Sequence, residues 1–330
     1  VDAKDIYSLG PEHAIDLSAE QWVGDTTQAI SVDGKVLGFP VCVEARGILY
    51  NADAIEAATG EAFDPTAIKT TEDFQTLIDA LIAGGMATPC GLQKEDWSLA
   101  AHFFASVYEM RDDPDAFIAG IKDGSVTLAD DEVFNALMDP FDVMKANNWM
   151  KDAPLSAVRE DTEMYLALGE IAFKYGGNWD WSDIKEFEPD ENLGMMPIPS
   201  ALEGYNDKLV GGGSKYFFID NSVSAEQQEA AKQFLNWLVY DEAGQDFLVN
   251  TCALVPAFSN ITLPVSDPLG ASVKSFADTG AMVGNYNYLP DDHYAQCGAI
   301  FQQYLADQID REGFADQITA YWETAEVGEH

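Results

Sequence analysis

The chain has 330 residues, 47% apolar and 12% aromatic, enough for two domains with cores of their own and unlike a disordered polymer. Its 57 acidic against 17 basic residues give a formal net charge of −40, which excludes nucleic acid and anionic lipid as partners and argues against an anionic substrate. The acids are spread along the chain, as on a solubilising surface, and the longest apolar run, around Val36 to Val43, is far too short to span a membrane.

In chain order, the first informative stretch is Gly34 to Asn51. It reads as two apolar runs, Val36 to Val43 and Gly47 to Tyr50, with Pro40 marking a strand end or crossing and the charges Glu44 and Arg46 between the runs. Such charges need a partner, solvent or a ligand. The sequence then predicts a short helix over 51–58. A second helix follows, with Thr70 to Asp73 at its start, Phe74, Leu77, Ile78, Leu81 and Ile82 at helical spacing, and Gly84-Gly85 as its stop. Amphipathic helices are expected over 97–108, 113–121, 132–146 and 161–168.

Alternation of Ile171, Phe173 and Tyr175 predicts a strand, and Gly176-Gly177-Asn178 turns it into Trp179-Asp180-Trp181. Leu193 to Ile198 and Tyr216 to Ile219 read as further strands, and Gly211-Gly212-Gly213 as a backbone crossing. Ser224 with Gln227 forms a capping box before a long helix carrying Ala231, Phe234, Leu235 and Leu238. Helices over 273–276, 294–309 and 314–322 complete the chain. A few strands among many helices, without regular alternation, imply α/β lobes crossed more than once by the chain.

Catalytic signals are weak. No phosphate loop, dinucleotide fingerprint or nucleophile elbow is present, and His13, His102, His293 and His330 are scattered. Cys42, Cys90, Cys252 and Cys297 lack zinc-site spacing and could form two disulfides or remain buried thiols. We therefore expect no catalytic residues, metal or cofactor. Aromatic–acid clusters are more telling: Trp97 after Glu95, Trp179 and Trp181 around Asp180, and Tyr286, Tyr288 and Tyr294 around Asp291, Asp292 and His293. An apolar sugar face stacks on an aromatic ring while its hydroxyls seek acceptors, which is what such clusters offer.

Gly34-Lys-Val-Leu-Gly-Phe-Pro40, Glu44 and Leu49-Tyr-Asn51 resemble the conserved segment of extracellular solute-binding proteins of ABC transporters, in the carbohydrate branch that includes maltose-binding protein. Three further blocks agree in order: Gly169-Glu-Ile-Ala-Phe-Lys-Tyr-Gly-Gly-Asn-Trp179, the triple glycine followed by Ala230-Ala-Lys-Gln-Phe-Leu-Asn-Trp-Leu238, and Val255-Pro256. The resemblance implies an α/β, two-lobed, periplasmic-binding-protein-like fold with hinge crossovers and the ligand in the cleft between lobes that close on it. It implies a first lobe of residues 1–42 and 213–265, a second of 43–212 and 266–330, and a first lobe N-terminally incomplete, lacking an opening strand-helix-strand. It further implies an extracellular monomer, a lipoprotein or periplasmic, which hands a sugar to ABC permease subunits and carries out no chemistry.

By position the resemblance makes Glu44 a cleft carboxylate, Trp179 a stacking ring, Glu95 with Trp97 an acid–aromatic pair, and Asp2 and Asp5 part of a sugar-contacting loop. Tyr288 or Tyr294 stands in for a stacking tryptophan that is absent, which puts maltodextrin specificity in doubt. On this reading Arg46 is the local partner of Glu44 or a surface charge. Two alternatives remain open: a glycoside-acting hydrolase with paired carboxylates, and a binding protein for a polyamine or other cation.

Overall fold

The computed structural model describes residues 13–189 and 192–327. Its strands are β1 (Ile30–Val32), β2 (Lys35–Asn51), β3 (Cys90–Gly91), β4 (Phe173–Gly177), β5 (Leu193–Met196), β6 (Leu209–Phe217) and β7 (Met282–Val283). The chain divides into two compact units, one of Val1–Glu44 with Gly211–Ser275, the other of Ala45–Val210 with Phe276–His330. It passes between them inside β2, inside β6 and inside the helix Pro268–Asp278.

In the first unit β1 pairs antiparallel with the start of β2, Val36 opposite Ser31. Its core is aromatic: Phe39 packs edge-on against Trp22 at 5.0 Å and, tilted, against Phe258 at 4.9 Å. Each such side chain, fully buried, contributes about 1.5–3 kcal/mol by leaving water. The helix Ala225–Tyr240 covers this core with Leu235, Leu238 and Val239. Ser224 and Gln227 close its first turn reciprocally, as the sequence predicts. Phe234 does not face the core; it is 48% exposed and stacks on Trp237.

In the second unit β2 continues without a break, antiparallel to β4 (Ile48 opposite Tyr175) and to β5 (Ile48 opposite Met196), while β3 runs parallel to β4. The helices Thr71–Ala83, Glu132–Ala146, His293–Leu305 and Arg311–Trp322 pack around Phe103, Phe141, Phe301 and Phe314, whose neighbouring rings lie 4.7–4.8 Å apart.

Three sequence expectations change. The Gly34–Asn51 stretch is not two runs: β2 is one strand of 17 residues, buried almost throughout, and Pro40 sits inside it. Of the strand expected over 216–219, only Tyr216 and Phe217 are in strand, as the end of the longer β6, which contains all three glycines. The helix expected from Trp97 begins as a π-helix over Trp97–Phe104, and only Ser106–Glu109 continues as α-helix. The four cysteines are free thiols, with Cys42, Cys90 and Cys297 buried and Cys252 exposed.

Candidate functional site

The candidate site lies in the second unit and starts at the end of β4. Gly176 and Gly177 close that strand, and Asn178–Asp180 makes a single 3-10 turn. Asn178 Oδ1 accepts the Ala45 N–H at 2.9 Å, tying this turn to β2. Gly177 is required for space: a Cβ there would lie 2.3–2.5 Å from three Trp179 ring atoms, so the indole rests on bare backbone. Trp179 is half-buried, with its ring 4.7 Å from that of His102, which in turn meets Trp97 edge-on at 5.2 Å. Burial, with Arg46 and Lys174 nearby, pushes the His102 imidazole down to about 3, so the three rings form an uncharged aromatic group at neutral pH.

Arg46 joins this group to a second one. Its Nε donates to the His102 carbonyl at 2.9 Å, its Nη1 to Asn285 Oδ1 at 2.9 Å, and its Nη2 is ion-paired with buried Glu109. Glu109 Oε1 accepts the Tyr286 N–H at 3.1 Å, and the Tyr286 ring lies 5.6 Å from that of Tyr288. Arg46 is thus neither a surface charge nor the partner of Glu44. It is 8% exposed, and a charge so buried needs the carboxylate that Glu109 supplies.

The other candidates divide. Glu44, in the first unit, is ion-paired with Lys215, so the charge the resemblance reads as a cleft carboxylate has a salt-bridge partner. Glu95 Oε1 accepts the Arg159 N–H at 3.2 Å, while its Oε2 is buried without a hydrogen-bond partner. Asp180 does not present its carboxylate to solvent: it is fully buried and ion-paired with Lys174, because the tight turn that exposes Trp179 sends the next side chain inward. Trp181 is half-buried at the start of the helix Trp181–Ile184. Tyr288 and Tyr294 are exposed, and Asp292 accepts from the Tyr321 hydroxyl at 3.0 Å. Asp2 and Asp5 lie outside the described residues.

The structure therefore gathers Trp97 and Trp179 around His102 and connects Tyr288 to them through Arg46 and Glu109. Sequence reasoning missed His102, Asn178 and Asn285 as members of this group, whereas Tyr286 stands in its tyrosine cluster with Tyr288. Spacing gave no signal for His102, because five positions after Trp97 on an α-helix lies on a different face. Among the described residues no group of three or more His, Cys, Asp or Glu could hold a metal, and no helix is long and apolar enough to cross a membrane.

Comparison with known proteins agrees with this fold. Apo RafE from Streptococcus pneumoniae superposes with a TM-score of 0.74 at 18% identity over 94% of this chain and 78% of its own. RafE in complex with raffinose gives 0.75 at 19% identity, covering 97% of this chain and 82% of its own. A sugar transporter protein from Bacillus licheniformis, in complex with stachyose, gives 0.69 at 18% identity, covering 94% and 81%. A family model described as bacterial extracellular solute-binding protein matches residues 2–323, nearly the whole chain, and the chain belongs to that family.

Proposed function

We propose that this protein captures a sugar or oligosaccharide outside the cell and delivers it to the permease of an ABC importer. The observation that carries the reading is the Trp97–His102–Trp179 group: uncharged rings, partly open to solvent, held on a rigid backing by Gly177, Asn178 and Arg46. Such a group suits the apolar face of a pyranose ring, and tyrosine hydroxyls and carboxylates suit its hydroxyls. Raffinose and stachyose, bound by the similar structures, supply the first probes. Isothermal calorimetry with both should show binding, and Trp179→Ala should weaken it by about 1–3 kcal/mol. Unchanged affinity would remove Trp179 from the site.

The protein binds its ligand without turning it over. Asp180 is committed to Lys174 and Glu44 to Lys215, so neither acid stands ready as a general acid or base. Incubation with the same oligosaccharides should release no new reducing ends. The net charge of −40 favours one competing ligand class, cationic polyamines, so spermidine belongs in the same calorimetric panel. Heat with spermidine and none with either sugar would replace the carbohydrate reading.

A further inference from the structure

Behind Trp179 lies a buried charge cluster that solute stacking does not use. The side chains of Lys174 and Glu163 have no exposed surface, and that of Asp180 has 1%. Lys174 Nζ is ion-paired with Asp180 Oδ2 and lies 3.8 Å from Glu163 Oε1. Arg159, at the cluster's edge, places Nη1 at 3.3 Å from Glu163 Oε1 and 3.8 Å from Asp180 Oδ1. Its Nη2 is taken by Asp183 at 2.7 Å, with Glu160 at 4.0 Å. The charged and titratable groups acting on Glu163 are thus Arg159 on its own helix, Lys174 on β4 and Asp180 on the turn, with Glu160 and Asp183 reaching Arg159. Glu95 accepts the Arg159 backbone N–H, and Lys174 also acts electrostatically on His102.

Two buried acids share one fully buried cation. The Glu163 and Asp180 carboxyl groups share Lys174 and Arg159 as charged neighbours, yet both Glu163 oxygens and Asp180 Oδ1 are buried without a hydrogen-bond partner. A proton between them supplies a donor and relieves the repulsion between two buried carboxylates. The same acid is coupled mechanically to the aromatic site. A Cβ on Gly176 would sit 2.1 Å from Asp180 Oδ2, and one on Gly177 against the Trp179 ring. Successive strand residues face opposite sides, so carboxylate and indole clasp the two-glycine backbone from its two faces.

We infer that Glu163 is a positioning residue: a proton shared with Asp180 fixes the Asn178–Asp180 turn and so holds Trp179 in its stacking pose, and loss of that proton weakens carbohydrate capture. The effect on capture rests on the stacking role proposed above for Trp179. Burial pushes the Glu163 carboxyl up to about 8, against the opposing pull of Lys174, so the proton is held at neutral pH and lost on the alkaline side.

Emission of the wild type minus that of Trp179→Phe, followed from about pH 6 to about pH 10, should show a one-proton step near pH 8, and Glu163→Gln, which keeps a donor for Asp180, should abolish it. A wild type without the step, or Glu163→Gln with the same step, overturns the inference. Carboxyl 13C NMR of the wild-type chain needs no substitution. One glutamate carboxyl titrating near pH 8 supports the inference, and its absence overturns it. Raffinose affinity should be at least about fivefold weaker at alkaline than at neutral pH in the wild type and equal at the two in Glu163→Gln. If Trp179→Ala weakens raffinose binding while wild-type affinity ignores pH, the role of Glu163 falls alone. If the emission step is present but Trp179→Ala leaves affinity unchanged, the stacking role falls, and the effect on capture with it.

Discussion

Arg46 holds three parts of the second unit at once: the His102 carbonyl, the Asn285 side chain and the Glu109 carboxylate. Removing one member of a buried ion pair strands the other in a medium that solvates it poorly. Arg46→Met should therefore cost about 3–5 kcal/mol of stability, measured by urea denaturation, while the double change Arg46→Met with Glu109→Leu should cost less than Arg46→Met alone. The residue scale also marks the limit of sequence reading. That Arg46 and Glu44 were charges set in an apolar strand was legible. That their partners were Glu109, 63 positions away, and Lys215, 171 positions away, was not, because ion pairing across a fold follows strand and helix placement and leaves no trace in spacing. Asp180 was misread for a related reason: residues adjacent in a tight turn point in different directions, so one can face solvent while the next is buried.

At the scale of elements, locally determined features were the legible ones. The capping boxes Thr70–Asp73 and Ser224–Gln227 lie three residues apart and act through the backbone they flank, so the sequence carries them whole. The length of β2 was hidden because Pro40 is a local signal, overridden by a strand buried along nearly all its length. The π-helix over Trp97–Phe104 was hidden because apolar periodicity cannot separate a wide turn from an α-helix. It matters to the site: residues five apart on an α-helix diverge by roughly 140°, whereas here Trp97 and His102 meet at 5.2 Å. Gly177 gives the element-scale test. Gly177→Ala places a methyl within 2.3–2.5 Å of the Trp179 ring, and the half-buried indole can escape toward solvent. Stability should fall by about 1–3 kcal/mol, while raffinose affinity should fall as far as in Trp179→Ala. Calorimetry and thermal denaturation of the two variants side by side would read this, and full retention of affinity in Gly177→Ala would refute the geometry.

For the whole molecule, buried titratable groups set how stability varies with pH, and they pull in opposite directions. His293 lies in a cage of Tyr108, Phe104 and Trp322, where burial pushes it down to about 4 from its usual 6.5, and His102 is pushed down to about 3. For such groups the unfolded chain binds protons more readily than the folded one. Their contribution is therefore complete above about 6.5 and lost as pH falls toward 4. Glu163 has the opposite sign: pushed up to about 8 from 4.5, it is protonated in the folded chain and ionised in the unfolded one across that interval. Its contribution is complete below 4.5 and lost as pH rises through 8. The net charge of −40 adds to this second trend, because self-repulsion grows as carboxylates ionise and is relieved by salt. Stability should consequently peak on the acid side of neutrality. In urea unfolding at fixed ionic strength, Glu163→Gln should flatten the decline from about pH 6 to about pH 8 and leave the acid limb in place, whereas His293→Phe should make the acid limb shallower and leave the alkaline one. Added salt should raise stability at neutral pH in every variant alike, since it screens the surface and not the buried cluster. An alkaline limb that survives Glu163→Gln unchanged would place its cause in surface repulsion, and high salt would then remove it.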